Sequence, residues 1–145
     1  MNSRLPCPAD VSANDGLALP NTGAACTAPS QQQVIPWKTL GIPQNSVIDP
    51  WGHYIAYHAD ANLVLTGATG AGELTVKNSA AGANILTNAI FVLISYGPNG
   101  AGGYNRSLQQ IAAPNDGTPT VTDEEENTNG DTVYVRGGTP GGDFD

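Results

Sequence analysis

The chain of 145 residues has the length of one domain and is long enough to bury a modest core. Its 18 glycines and 11 prolines make up a fifth of the chain, which is below the share typical of disorder and predicts ordered loops around a few strands. A formal net charge of −8 with five lysine and arginine residues disfavours binding to nucleic acid or to anionic lipid, because both ligands are themselves anionic.

The first segment, residues 1–36, is punctuated by prolines and shows neither a helical nor a strand period, so we expect an irregular region. Its two cysteines, Cys7 and Cys26, have no metal-ligand spacing and form no Cys-x-x-Cys motif. A disulfide that closes this loop is the simplest interpretation, and it indicates an oxidising compartment. The alternative is a pair of free buried thiols in a cytosolic protein.

Residues 37–42 are predicted to form one short helical turn. Asp49-Pro50-Trp51-Gly52 then predicts a tight turn, because proline presets φ and glycine accepts positive φ. A strand is expected over residues 53–58, with His53 and His58 on opposite faces as ordinary surface or half-buried imidazoles. Trp37 and Trp51 are expected to anchor the core.

Apolar alternation over residues 62–66 and 73–77, with the glycine-rich segment 67–72 between them, predicts a hairpin. The strongest core signal is the segment 89–95, in which Ile90 to Ile94 are apolar without alternation, as is typical of a strand covered on both faces. No other segment has the pattern of a long amphipathic helix that could cover this strand. We therefore expect that part of its cover lies outside the given sequence or on another chain.

The C-terminal part is expected to hold little regular structure. A short helix is predicted over residues 107–112, and a loop over residues 113–131. The acidic run within this loop is expected to form a second short helix, capped by Thr122 or Asp123. A last strand is expected over residues 132–136, followed by a flexible tail.

Several segments, in this order, together resemble the globular part of type IV pilin-like proteins and of type II secretion pseudopilins. They are Arg4-Leu5-Pro6-Cys7-Pro8-Ala9-Asp10 with the later Cys26, Pro36-Trp37-Lys38-Thr39-Leu40-Gly41-Ile42-Pro43, Asp49-Pro50-Trp51-Gly52 followed by Tyr54 or Tyr57, Ser95-Tyr96-Gly97-Pro98-Asn99-Gly100-Ala101-Gly102-Gly103, Glu124-Glu125-Glu126-Asn127-Thr128, and Asp143-Phe144-Asp145. Residues 59–88 and 104–121 carry no such resemblance.

The resemblance implies an α+β, pilin-like fold: one globular domain over residues 1–145, with a small antiparallel sheet, long ordered loops and a truncated N-terminal helix. That helix would lie upstream of residue 1 and cover the sheet. It would also anchor the subunit in the inner membrane and polymerise it with other pilin-like subunits. The implied function is a structural subunit of a periplasmic or extracellular surface filament.

Calcium is the one cofactor that the resemblance suggests, since pseudopilins hold it in the loop after the serine–glycine strand. This chain departs from that pattern, because Pro98-Asn99 replaces the usual acid and no aspartate occurs between residues 100 and 115. A calcium site would need several oxygen ligands, drawn here from Ser95, Asn99, Asp123, Glu124, Glu125 and Asp131, with Asp116, Asp143 and Asp145 as further acids. The alternative is a solvated acidic loop, with no cofactor required.

No catalytic motif is recognisable: the chain has no Gly-x-Ser-x-Gly elbow, no His-Glu-x-x-His and no phosphate loop. We therefore expect a protein that is not an enzyme. The alternative to a filament subunit is a secreted adhesive or binding module that never joins a filament. Such a module would depend on calcium if the acidic residues bind the ion.

Overall fold

The computed structural model describes residues 5–19, 26, 32–64, 71–113 and 122–137. Short strands dominate: β1 (Gln32–Val34), β2 (Ala56–Ala59), β3 (Leu74–Lys77), β4 (Asn84–Ala89), β5 (Phe91–Ile94) and β6 (Val133–Val135). Two one-turn helices, α1 (Trp37–Leu40) and α2 (Asp123–Glu126), and a 3-10 turn (Gln44–Val47) lie between them. No helix in the described ranges is long and apolar enough to cross a membrane.

The first sheet has the order β1-β2-β5 and is antiparallel throughout. Tyr57 at its centre pairs with Gln33 on one side and Leu93 on the other. β2 begins at Ala56, later than the predicted strand start at residue 53, and Tyr54 forms an isolated bridge instead. β1 lies in the segment that was expected to be irregular, so that expectation is wrong for residues 32–34.

The second sheet has the order β4-β3-β6 and is mixed, because β3 pairs antiparallel with β4 and parallel with β6. The fold therefore holds two small three-stranded sheets and short helices, which fits a small α+β class. The prediction of a small antiparallel sheet is confirmed for the first sheet, whereas the second, mixed sheet was not predicted. A parallel pair requires a long crossover, which local patterns do not reveal.

The predicted hairpin has the wrong partner strand. β3 pairs with β4, and the connection runs through 78–83, where Asn78 N donates to Ala83 O. Leu63 and Val64 lie in a turn, and the predicted loop 67–72 falls largely outside the described residues. The Asn-Ser-Ala-Ala-Gly-Ala segment at 78–83 contains turn-forming residues, as the segment 67–72 does. Apolar alternation therefore could not indicate which of the two segments connects the paired strands.

The core has two parts. One packs around the Cys7–Cys26 disulfide and the stacked rings of Trp37 and Tyr54, whose centroids are 5.3 Å apart. The other lies between the sheets and includes Ile94 and Leu74. The disulfide prediction is thus confirmed, with Cα atoms 5.6 Å apart. Trp37 is a core residue as expected, whereas Trp51 is 53% exposed and is no anchor.

The short helices were predicted with mixed success. α1 lies within the predicted 37–42, and α2 begins after Thr122, whose hydroxyl accepts a hydrogen bond from Glu125 N in a capping box. The predicted helix at 107–112 is wrong. That segment turns back on itself through a bridge between Tyr104 and Gln110, and buried Leu108 has a positive φ of 56°.

Candidate functional site

The turn at 49–52 is built around a buried carboxylate. Asp49 Oδ1 accepts hydrogen bonds from Trp51 N at 3.1 Å and from His53 N at 2.8 Å. Gly52 N donates to Asp49 O, and Gly52 has a φ of 93° that few L side chains adopt. The Asp-Pro-Trp-Gly sequence thus specifies the turn locally, because the Asp49 carboxylate accepts hydrogen bonds from two backbone N–H groups of the turn that have no backbone acceptor in the described part of the chain.

The loop after β5 packs directly against this turn. Ser95 Oγ donates to Asp49 Oδ2 at 2.8 Å, and His53 Nδ1 lies 3.2 Å from Gly97 O. A Cβ atom at Gly100 would lie 2.6 Å from His53 Cε1, so only glycine allows the loop to approach this closely. Two of the segments that carry the family resemblance therefore contact each other, although sequence spacing gave no sign of it.

The six residues predicted to hold calcium are distributed over three elements. Ser95 and Asn99 follow β5, three acids belong to α2 and Asp131 precedes β6. Asn99 Nδ2 donates to Glu124 Oε1 at 2.8 Å, which joins two of the six.

The other carboxylates of the set accept hydrogen bonds from backbone N–H groups. Asp123 Oδ1 accepts from Ala80 N at 2.7 Å, Glu125 completes the capping box of α2, and Asp131 Oδ1 accepts from Val133 N at 2.6 Å. Among the described residues, no group of three or more His, Cys, Asp or Glu side chains could hold a metal ion. Asp116, Asp143 and Asp145 lie outside the described ranges, so calcium binding stays a prediction.

A buried polar pair joins the two sheets, and sequence reasoning missed it. His58 of β2 is buried, and its Nδ1 forms a hydrogen bond with the Tyr134 hydroxyl of β6. Burial lowers the pKa of His58, while the nearby charges of Asp60 and Asp131 act in the opposite direction. The expectation of a surface or half-buried imidazole at position 58 is therefore wrong. No local pattern distinguishes a buried histidine from an exposed one, because only the partner sheet covers it.

The segment 85–93 covers most of β4, Ile90 and most of β5. It leaves an unusual number of large apolar side chains exposed: Ile85, Leu86, Ile90, Phe91 and Leu93. Strand alternation turns Val92 and Ile94 toward the second core part, and it turns Phe91 and Leu93 outward. The predicted cover on both faces of the strand is thus present on one face only in the described residues. Phe91 and Leu93 thus lie two residues apart on one face of β5, and neighbouring exposed apolar side chains mark interaction surfaces more often than isolated ones do.

No protein-family model matches the chain, and neither a curated protein nor a solved structure matches it. The family resemblance of the quoted segments therefore stays a prediction.

Proposed function

We propose that the chain is the globular head of a type IV pilin-like or pseudopilin-like subunit, a structural and non-enzymatic component of a periplasmic or extracellular surface filament. One observation carries the proposal: the outer face of β5 exposes Phe91 to 43% and Leu93 to 51%. Exposed apolar area of this kind costs free energy in water, so a covering element is expected.

The neighbouring strand shows which part of the face lacks cover. Tyr57 of β2 pairs with Leu93, yet Tyr57 is buried, and its hydroxyl donates to Pro6 O at 3.0 Å. The N-terminal segment thus covers β2 and stops short of β5.

The start of the described chain lies at the same end of the sheet. Leu5 N donates to Leu63 O, and Asp60 N, directly after β2, donates to Ile90 O. We therefore expect a helix upstream of residue 1 to lie near the exposed side chains of β5. In the proposed subunit this helix covers Phe91 and Leu93, polymerises the protein with other subunits, and is its sole membrane anchor.

The Cys7–Cys26 disulfide supports an exported protein, because such bonds persist in oxidising compartments. The net charge of −8 supports a solvated outer surface and argues against a nucleic-acid partner for this domain.

The first test is to read the native gene upstream of the codon for Asn2. The proposal expects a basic leader, a cleavage site after a small residue, and about 20 consecutive apolar residues. An ordinary cleaved secretory signal would instead support the alternative of a secreted adhesive or binding module.

A variant pair tests the covered face. Leu93→Lys in the full-length protein is expected to abolish filament assembly, because a charge would be buried against the helix. The same change in the isolated domain should alter the free energy of unfolding by about 0.5 kcal/mol or less, since Leu93 is exposed there. Thr87→Lys, at an exposed polar position on β4, is the matched control and should assemble normally. Normal filaments from the Leu93→Lys protein would contradict the proposal.

A further inference from the structure

A cavity of about 360 Å³ lies between β1, the loop 96–104 and the turn 128–130, and no residue of the segment 85–93 lines it. Its side walls include Gln33, Tyr96, Tyr104, Gln110, Thr128 and Asn129. The volume falls in the range of small-molecule sites, which begins at about 300 Å³. Every residue that lines the cavity is uncharged, in a chain whose net charge is −8.

Gln33 supplies the strongest evidence for a built site. Gln33 is only 5% exposed, and its Oε1 accepts a hydrogen bond from Val11 N at 3.3 Å. Val11 also lines the cavity, so this bond places the amide group of Gln33 at the cavity wall. Among the described residues the Nε2 group of Gln33 has no acceptor. An unpaired buried donor destabilises the protein, and an acceptor inside the cavity would remove this cost.

The side chains of Gln110 and Tyr104 also line the cavity, and each has a polar atom that bonds no described residue and is free to form a further hydrogen bond. Gln110 Nε2 donates to Gly102 O at 3.3 Å, and its carbonyl oxygen bonds no residue in the described ranges. The half-buried Tyr104 hydroxyl likewise has no partner in that part of the chain. Burial raises the pKa of Tyr104, so this hydroxyl keeps its proton at neutral pH and can donate as well as accept.

We propose that this cavity binds a neutral saccharide. Each sugar hydroxyl both donates and accepts hydrogen bonds, which matches a donor at Gln33, an acceptor at Gln110 and a group of both kinds at Tyr104. The tyrosine rings and Val11 offer apolar surface to the C–H faces of a sugar ring. A charged ligand would be left without a counter-charge among these lining residues, at a high desolvation cost. The proposal is independent of whether the chain forms a filament.

The test is a nuclear magnetic resonance titration of the ¹⁵N-labelled protein with glucose, galactose and N-acetylglucosamine, followed through the side-chain amide of Gln33. At least one sugar should give saturable shifts, with a Kd between about 0.1 and 10 mM as expected for few hydrogen bonds. Gln110→Ala and Tyr104→Phe should each weaken this sugar about three- to tenfold, the worth of one neutral hydrogen bond. Gln109→Ala is the matched control, because Gln109 is exposed and does not line the cavity, and it should bind as the unchanged protein does.

Three results would overturn the proposal. The first is that none of the sugars gives saturable shifts at concentrations up to about 50 mM, which is well above the expected Kd. The second is binding of an uncharged glycine–serine peptide when no sugar binds, which would assign the cavity to a peptide. The third is unchanged sugar affinity in both Gln110→Ala and Tyr104→Phe, which would place the sugar elsewhere.

Discussion

Single buried polar side chains connect parts of this protein that are far apart in the sequence. Asp49 accepts from its own turn and from Ser95, while His58 bonds Tyr134 across the two sheets. Each of these groups has a partner, as buried polar groups must if burial is not to destabilise the fold. A small core with few apolar side chains thus obtains part of its specificity from such contacts.

The titration of His58 should make stability depend on pH. Burial lowers its pKa in the folded protein below the ordinary value of 6.5, so below that pH the unfolded chain binds more protons than the folded one. The stability present at neutral pH should therefore be lost as the pH falls, over a window that begins near 6.5 and extends downward. Urea unfolding at about pH 7.5 and about pH 5.5 measures this loss, before the carboxylates titrate.

The variant His58→Gln provides the comparison, because glutamine can still bond the Tyr134 hydroxyl without titrating. It should show a smaller loss of stability between the two pH values than the unchanged protein, whatever its absolute stability. Contributions from all other titrating groups are common to both proteins and cancel. Equal losses in both proteins would show that His58 does not lie in a desolvated position.

At the scale of elements, the chain relies on very short units that are stabilised by local chemistry at their ends. α2 has a single turn, and its four residues are all acidic, which suits a helix N-terminus. Thr122 N donates to Glu125 Oε2 at 2.8 Å, and Glu125 N donates to Thr122 Oγ1 at 3.2 Å. The acids of α2 thus have structural uses that need no bound ion.

Removing the cap of α2 should destabilise the domain measurably. Thr122→Ala is expected to lower the free energy of unfolding by about 1 kcal/mol, because Glu125 N loses its hydrogen-bond acceptor, the Thr122 hydroxyl. Glu125→Gln is the matched control, since glutamine also completes a capping box, and it should change stability far less. Thermal unfolding in buffer with and without calcium measures both effects. Equal losses for the two variants in the absence of calcium would contradict the capping role.

The whole molecule is held together at its N-terminal end by a covalent link. Cys7 and Cys26 are both buried and belong to the core part that includes Trp37 and Tyr54. The loop they close spans 19 residues of sequence separation, so the bond restricts the unfolded chain strongly. The N-terminal segment that covers β2 therefore depends on this link for its position.

Reduction of the disulfide should cost about 3 kcal/mol of stability, the loop-closure value for this length. Guanidinium unfolding with and without a reductant measures the difference. The double variant Cys7→Ser/Cys26→Ser should unfold at the same denaturant concentration in both buffers, which controls for other effects of the reductant. An unchanged midpoint for the natural protein would mean that the bond does not stabilise the fold.

Local chemistry made part of this architecture predictable. The Cys7–Cys26 bond, the turn at 49–52, α1, the Thr122 cap and the strand at 133–135 each depend on residues close in sequence or on a unique pair of cysteines. The glycine and proline content likewise predicts ordered loops around a few strands.

Tertiary structure alone decided the rest. The parallel partner of β3, the pairing of β3 with β4 and the burial of His58 against Tyr134 are all set by contacts between distant segments. The cavity beside Gln33 arises in the same way, because its walls come from four separate stretches of chain. The sequence shows that the segment 89–95 is strongly apolar. Which face of this strand is left uncovered depends on where the N-terminal segment ends in the fold. Sequence periodicity records which side chains prefer burial, whereas the neighbour that buries them is chosen by packing of the whole chain.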